Sequence, residues 1–192
     1  SPDDEIDQKI RELSLDPRDV RTVILTHLHT DHAGGLHHFP SSKILVTEGE
    51  YKSSQGFGGM VRGYLPHRWP DWFEPKPIQF TSKPIGPFDE SYELTTSGDI
   101  VIVPTPGHTE HHVSVIVKTG GIVYFLAGDT SYSQEILLQR KPDGVSPNPK
   151  QAIETLDKIL RYSQMESLVY LPTHDPETAK RFKGTLRLKN AP

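Results

Sequence analysis

The stretch from Thr26 to Gly35 constrains the fold and function of this chain more than any other. It reads Thr-His-Leu-His-Thr-Asp-His-Ala-Gly-Gly and places three histidines and one aspartate within six positions. A run rich in Val, Ile and Thr over residues 20–26 precedes it and predicts a buried strand. The glycine pair at its end permits a tight turn into the next element.

The spacing within this stretch favours metal binding. His27 and His29 are two residues apart, so their imidazoles point to the same side of an extended backbone. Asp31 and His32 follow where the chain turns, so the loop offers two separate pairs of ligands, which favours two metal ions over one. Chance clustering, or helix capping by Thr30 or Asp31, would explain a lone His-x-His. The full motif in its strand-and-glycine context favours a metal site.

Three further metal-compatible residues follow predicted strands. His108 comes after the strand at 100–103, Asp129 after the strand at 122–126, and His174 after the strand at 168–171. Loops at strand ends can converge on one edge of a sheet, so these residues are candidates for the same site. The chain contains no cysteine, so any metal would be held by nitrogen and oxygen. For His112 two roles stay open: orienting a ligand by donating its other ring N–H, or a plain surface position.

The His-x-His-x-Asp-His motif and the three downstream residues resemble the metallo-β-lactamase superfamily. The resemblance implies an α/β fold, the αββα sandwich, with a two-metal site at one edge. It also implies a ligand set in which Asp129 bridges two divalent ions, zinc first, with iron, cobalt or manganese as alternatives. One ion is then held by His27, His29 and His108, and the other by Asp31, His32 and His174.

Within that superfamily the chain is most similar to the N-acyl homoserine lactone lactonases. A tyrosine, Tyr132, stands three residues after Asp129, and the segments around Tyr64-Leu65-Pro66 and Thr173-His174-Asp175 are similar too. The resemblance implies quorum quenching: a metal-bridging hydroxide attacks and opens the lactone ring of N-acyl homoserine lactones. Tyr132 and Asp31 are the expected catalytic residues, the first steadying the oxygen and the second shuttling a proton.

The segment from Gly56 to Pro75 is rich in glycine, proline and aromatic residues, so regular structure is not expected there. Its rings either pack on the core or form an apolar wall over the site, and both interpretations stay open. The candidate substrate-binding residues are Phe57, Met60, Tyr64, Leu65 and Trp69.

Two alternatives to a lactonase remain. One is another hydrolase of the same fold, such as a glyoxalase II-like thioesterase or a phosphodiesterase. The other is a metal-binding but inactive fragment. The aromatic, weakly charged segment from Gly56 to Pro75 suits an acyl chain better than a phosphate, which favours the lactonase.

Composition bounds the remaining possibilities. The chain has 192 residues and a net charge of -4, which is enough length for one domain and argues against nucleic acid as a partner. A basic stretch near the C-terminus is expected to be a solvated face. No apolar run is long enough to span a membrane, and no signal peptide or disulfide is visible, so we expect a cytoplasmic protein. The expected partner is a small acyl lactone, and a homodimer is left open.

The predicted organisation is a single metallo-β-lactamase-like domain over residues 1–192. It lacks the N-terminal strands usual in the superfamily, because only one helix, capped by Ser1 with Pro2 at its first position, precedes the motif. Further along, a hairpin is predicted across Gly120-Gly121. A helix is predicted from Asn148 with Pro149 at its first position.

Overall fold

A computed structural model describes residues 5–188 of the chain. The backbone divides into two compact units, one ending at Ile78 and the other beginning at Gln79. Each unit is described in turn. Among residues 5–188, no helix combines the length and the apolar character needed to cross a membrane.

The first unit is built around a small parallel sheet. Its strands are β1 (Thr22–Ile24), β2 (Lys43–Val46) and β3 (Lys76–Pro77), with β2 in the centre. Its helices are α1 (Ile6–Glu12), α2 (Thr30–Ala33), α3 (Glu48–Ser53) and α4 (Gly56–Val61). The predicted helix at the start of the chain is confirmed over α1, whereas its proposed cap at Ser1 and Pro2 lies outside the described residues.

The core of this unit lies under the histidine-rich loop. Leu28 in the middle of that loop is completely buried, and it belongs to an apolar cluster with Leu25, Leu36, Ile44 and Val46. Leu28 therefore points into this core, and on extended backbone the side chains next to it, His27 and His29, point to the opposite side.

The expectation that residues 56–75 lack regular structure is wrong in part. Residues Gly56–Val61 form α4, and Pro66–Arg68 form a short 3-10 turn. Close local packing offsets the poor helix propensity of glycine here, because Gly59 lies directly against the backbone of Ser54. A Cβ at Gly59 would come within 2.2 Å of the Ser54 carbonyl oxygen, so only glycine lets the helix pack this closely.

The second unit contains a larger, mixed sheet. Its strand order is β4-β5-β6-β7-β8, formed by β4 (Tyr92–Glu93), β5 (Ile100–Pro104), β6 (Val113–Thr119), β7 (Ile122–Gly128) and β8 (Leu168–Pro172). Neighbouring strands are antiparallel except β7 and β8, which are parallel. The helices are α5 (Gln134–Leu138), α6 (Pro149–Met165) and α7 (Thr178–Gly184). Between Ile78 and β4 the chain forms isolated bridges such as Thr81 with Ser91.

The hairpin predicted across Gly120-Gly121 is confirmed. β6 and β7 pair with Thr119 opposite Ile122. The two glycines between them have φ of 56° and 73°. Two consecutive positive φ values are typical of the tight turn whose twist matches that of the strands, and glycine adopts them without a Cβ clash.

The helix predicted from Asn148 is also confirmed. The Asn148 side chain accepts a hydrogen bond from the backbone N–H of Gln151, and Pro149 opens α6. The buried face of α6 includes Leu156 and Ile159, which pack with Phe125 of β7 in the main apolar cluster of this unit. A wide apolar stripe of this kind holds a helix against a sheet far more strongly than helix propensity does.

Candidate metal centre

The histidine-rich loop of the first unit joins β1 to α2. His29 has extended backbone (φ −60°, ψ 154°) and caps α2, so the chain turns directly after it, as the motif predicts. The His27 ring centroid lies 4.6 Å from that of His29 and 4.1 Å from that of His32. One ligand atom of His27 lies within 4.8 Å of one on His29, and the same limit holds between His27 and His32 and between Asp31 and His32. The loop alone therefore offers both predicted ligand pairs.

The two pairs differ in exposure. His27 is completely buried, whereas the Asp31 side chain is 59% exposed and has its Oδ2 3.5 Å from Nε2 of His32. Three imidazoles and a carboxylate this close together form a donor set that suits a borderline divalent ion such as zinc. This is the observation on which the fit of a metal to the first unit rests.

Several contacts fix this loop in place. The backbone N–H of Leu28 donates a hydrogen bond of 3.1 Å to Oε1 of Glu50, a buried carboxylate on α3. The Thr30 hydroxyl donates to the carbonyl oxygen of Gly63 at 3.0 Å. The ring of Tyr64 lies 4.9 Å from that of His29. The histidine-rich loop is therefore fixed by contacts with Glu50, Gly63 and Tyr64, which all follow β2 in the chain.

The candidate substrate-binding residues fall into two groups. Phe57 and Met60 on α4 are exposed, the first by 81%. Tyr64 is buried in the apolar cluster of the unit, and Trp69 packs on that cluster with its ring 5.0 Å from Phe73. Each of the two interpretations of the segment from Gly56 to Pro75 therefore fits part of it. Tyr64 and Trp69 pack on the core, whereas Phe57 and Met60 form an exposed apolar surface. Leu65, next to Tyr64 in sequence, is half-buried.

In the second unit, the three predicted ligands do converge. His108 follows β5, Asp129 follows β7 and His174 follows β8, as predicted. Oδ2 of Asp129 lies 3.1 Å from Nε2 of His174 and 3.6 Å from Nε2 of His108. One buried carboxylate oxygen therefore lies between two imidazole nitrogens that belong to different loops, which is the arrangement expected of a bridging ligand.

Tyr132 lies beside both histidines of this cluster. Its ring meets His108 edge-on at 5.9 Å and His174 edge-on at 5.5 Å between centroids. Tyr132 is half-buried. Tyr132 therefore lies next to two of the predicted ligands, and its catalytic role stays a prediction.

His112 is not a surface residue. It is 1% exposed, and its Nε2 accepts a hydrogen bond from the backbone N–H of Asp129 at 3.1 Å. Its Nδ1 lies 2.9 Å from the Thr105 hydroxyl. Of the two roles left open, orientation of a candidate ligand fits, but the direction is reversed, because the imidazole of His112 accepts a hydrogen bond from the backbone N–H of Asp129.

A second buried carboxylate, Asp143, was not identified from the sequence. Its Oδ2 lies 2.5 Å from Nδ1 of His108, and its Oδ1 accepts hydrogen bonds from the backbone N–H and the hydroxyl of Ser146. Burial raises the pKa of Asp143, but the hydrogen bonds from His108 and Ser146 outweigh burial, so the pKa lies below its ordinary value. The Asp143-Gly144 pair is visible as a turn signal, but nothing local connects it to His108.

The predicted solvated basic face is wrong for Arg181. This side chain is buried; it pairs with Asp175, and its Nε donates to the carbonyl oxygen of Tyr170. Asp175, next to His174, also accepts the backbone N–H of Gln134. Burial raises the pKa of Asp175, and its hydrogen bonds with Gln134, Glu177 and Arg181 more than offset this, so the pKa is lowered. Arg181 thus fixes the loop that carries His174.

Known proteins similar to this chain include lactonases. An N-acyl homoserine lactonase, AttM of Rhizobium radiobacter, is 27% identical over 184 residues, covering 93% of this chain and 66% of that protein. A mutant of AiiA from B. thuringiensis, solved with N-decanoyl-L-homoserine bound at its active site, matches with a TM-score of 0.73 at 22% identity, covering 94% of this chain and 66% of that one. AidC, a dizinc quorum-quenching lactonase, matches with a TM-score of 0.64 at 15% identity, covering 89% of this chain and 63% of that one.

These matches confirm the predicted α/β fold, and they also show that this chain spans about two thirds of the length of the lactonases it matches. The sequence model of one family covers residues 1–174. The chain therefore belongs to the metallo-beta-lactamase superfamily.

Proposed function

We propose that this chain carries the active site of a di-metal hydrolase that opens the lactone ring of N-acyl homoserine lactones. The observation that carries the proposal is the convergence of His108, Asp129 and His174 beside the Tyr132 ring. A cluster that only bound metal would not need a phenol at this position. The similar lactonases named above support the substrate class.

In this proposal seven side chains hold two divalent ions. His27, His29 and His108 bind the first ion, Asp31, His32 and His174 bind the second, and Asp129 binds both. The two ions, when bound, supply a water of lowered pKa and polarise the carbonyl of the substrate. Zinc suits the nitrogen-rich donor set, although iron, cobalt and manganese take the same ligands.

In this proposal the substrate is contacted by Tyr132, by Asp31 in a second role, and by apolar side chains of the segment from Gly56 to Pro75. Tyr132 donates its phenolic hydrogen to the lactone carbonyl oxygen as negative charge develops there. Asp31, the exposed member of the ligand set, shuttles a proton to the leaving alkoxide. The acyl chain lies on the exposed apolar side chains of α4, Phe57 and Met60, next to the half-buried Leu65 and Trp69. Tyr64 lies in the apolar cluster on which Trp69 packs. A cytoplasmic location accompanies this proposal as a prediction.

Metal analysis and a substrate panel test the proposal together. We expect about two equivalents of metal per chain. We also expect hydrolysis of long-chain and short-chain acyl homoserine lactones that stops on chelation and returns when metal is added. His111→Ala, a change at an exposed histidine, is the control for Asp129→Asn, which we expect to lose metal and activity.

The panel includes a thioester and a phosphodiester, because a glyoxalase II-like thioesterase or a phosphodiesterase would be expected on the same fold. Faster turnover of either compound than of any lactone would overturn the substrate class while leaving the di-metal hydrolase intact. Two bound metals with no activity on the whole panel would indicate the metal-binding but inactive fragment.

A further inference from the structure

Asp143 has no role in the proposed reaction, yet it is one of the most enclosed carboxylates of the second unit. Its side chain is 2% exposed, and that of His108, its partner, is 4% exposed. Burying a carboxylate is costly unless hydrogen bonds compensate it. The two oxygens of Asp143 have different hydrogen-bond partners: Oδ1 bonds with Val145 and Ser146, and Oδ2 bonds with His108.

One oxygen fixes Asp143 itself. Oδ1 accepts the backbone N–H of Ser146 at 2.7 Å, the Ser146 hydroxyl at 2.6 Å and the backbone N–H of Val145 at 3.2 Å. These bonds close the turn after residue 143 and fix the orientation of the carboxylate plane. With Oδ1 committed in this way, Oδ2 has a fixed direction toward His108.

The other oxygen fixes the proton on His108. Nδ1 of His108 lies 2.5 Å from Oδ2 of Asp143, and since an ionised carboxylate only accepts hydrogen bonds, Nδ1 must carry the hydrogen. The neutral imidazole then has its lone pair on Nε2. That nitrogen is the one that faces Oδ2 of Asp129, at 3.6 Å. The lone pair is therefore directed toward the predicted bridging ligand before any ion binds.

We propose that Asp143 is a positioning residue that holds His108 in the Nδ1–H tautomer, so that Nε2 is available as a metal ligand. The inference rests on the proposed metal-binding role of His108. A carboxylate or carbonyl that accepts the second N–H of a ligating histidine fixes its tautomer and ring orientation, and loss of such a partner commonly weakens metal binding about 10–100-fold. Nothing in the local sequence around His108 supplies this partner; it comes from the turn between α5 and α6.

The variant Asp143→Asn is a sharp test because only one atom changes. The asparagine oxygen would keep the place of Oδ1, where three donors converge, so its NH2 group would face Nδ1 of His108. Two donors facing each other are unfavourable, and the imidazole would respond by moving its proton to Nε2. We therefore expect the asparagine variant to hold His108 in the tautomer that cannot bind metal through Nε2.

The primary measurement is the tautomer of His108 in the metal-free protein, read from its ring 15N chemical shifts. We expect Nδ1–H in the wild-type chain and Nε2–H in Asp143→Asn. In parallel, competition with a chromogenic chelator should show zinc affinity lowered about 10–100-fold in the variant. Ser146→Ala is the matched control, because it weakens the same turn without touching His108. We expect it to lower the melting temperature yet keep both the tautomer and the zinc affinity.

A wild-type spectrum showing Nε2–H on His108 would overturn the inference, and this measurement needs no variant to fold. An Asp143→Asn variant that keeps Nδ1–H and binds zinc within twofold of wild type would also overturn it. So would equal losses of affinity in Asp143→Asn and Ser146→Ala, since these would show a purely structural turn. If the wild-type chain bound no zinc at all, the proposed function would fail, whereas the tautomer measurement would still decide the role of Asp143.

Discussion

The backbone N–H of Asp129 donates a hydrogen bond to Nε2 of His112, which is buried on the neighbouring strand-end segment. The other ring nitrogen of His112 meets Thr105, whose hydroxyl also contacts Ser114 at 2.8 Å. Asp129 is thus held through its main chain by one set of residues, while its carboxylate faces the candidate ligands His108 and His174.

His112→Ala should destabilise the chain through that N–H. Its removal leaves a buried donor without its acceptor, which costs about 1–3 kcal/mol. His111→Ala, at the adjacent exposed position, should change the free energy of unfolding by less than about 0.5 kcal/mol. Urea denaturation of both variants provides the measurement. Equal effects of the two substitutions would contradict the role of His112.

Tyr132→Phe should slow the opening of the lactone ring with little effect on stability. The ring contacts with His108 and His174 remain, and only the hydroxyl donor is lost. We expect the rate to fall roughly tenfold or more, about 1.4 kcal/mol, with two metals still bound. Tyr124→Phe is the control, because Tyr124 packs on Phe182 instead. Full activity of Tyr132→Phe would show that the ring alone matters.

Gly59→Ala should disturb α4, whereas Gly58→Ala should not. A Cβ at Gly59 would overlap the backbone of Ser54, which cannot give way cheaply, but at Gly58 it would meet only the end of the Arg62 side chain at 3.5 Å. Alanine is the better helix former by about 0.5–1 kcal/mol, so Gly58→Ala should be neutral or stabilising.

The proposed acyl-chain surface on α4 predicts that the glycine variants also differ in KM for the lactone. If the acyl chain lies on α4, Gly59→Ala should raise KM for a long-chain lactone more than for a short-chain one, because the displaced helix carries Phe57 and Met60. Kinetics on two chain lengths would check this. An equal change in KM for both lengths would place the acyl chain elsewhere.

Tyr162→Phe should stabilise the chain or leave its stability unchanged. Tyr162 is 1% exposed, and its hydroxyl has no hydrogen-bond partner among residues 5–188. A buried unpaired hydroxyl costs about 1–3 kcal/mol. Tyr170→Phe is the contrasting control, since the Tyr170 hydroxyl bonds with Thr130 and Ser131 and its loss should destabilise. Thermal melting of both variants provides the measurement: the melting temperature should rise or stay unchanged in Tyr162→Phe and fall in Tyr170→Phe.

Tyr162 also predicts that the folded chain loses stability at high pH. Burial raises the pKa of Tyr162 to about 12, from 10.0 for an ordinary tyrosine. Between pH 10 and 12 the unfolded chain therefore loses a proton that the folded chain keeps, so stability falls as pH rises through this window. Tyr162→Phe should make the fall shallower. An identical pH profile for the variant and the wild type would contradict this assignment.

The features that could be predicted from the sequence depend on residues close together in the chain. The ligand pairs of the histidine-rich loop, the glycine turn at Gly120 and the cap at Asn148 each involve only a few neighbouring positions. The convergence of His108, Asp129 and His174 was also predictable, because all three follow strands and strand ends meet at one edge of a sheet.

The residues that were missed act across long sequence separations. Asp143 meets His108 from 35 positions away, and Glu50 meets Leu28 from 22. A carboxylate in a turn or on a short helix is ordinary in sequence, so no local pattern distinguishes these two from solvated acids. The helix α4 is not expected from the sequence because three of its six residues are glycine, and the close packing of Gly59 on the Ser54 backbone is visible only in the structure.

The parallel pairing of β7 with β8 sets the order in which the second unit can be completed. The chain between these strands forms α5 and α6, so pairing the two strands closes a long connection. Closing a long connection is slow, because its entropy is lost before the contacts form. Asp129 and His174 lie just past the ends of these two strands, so their contact forms only on that closure. During refolding, metal uptake at the proposed site that includes Asp129 and His174 should therefore follow the collapse of the chain. The uptake would report when β7 and β8 have paired.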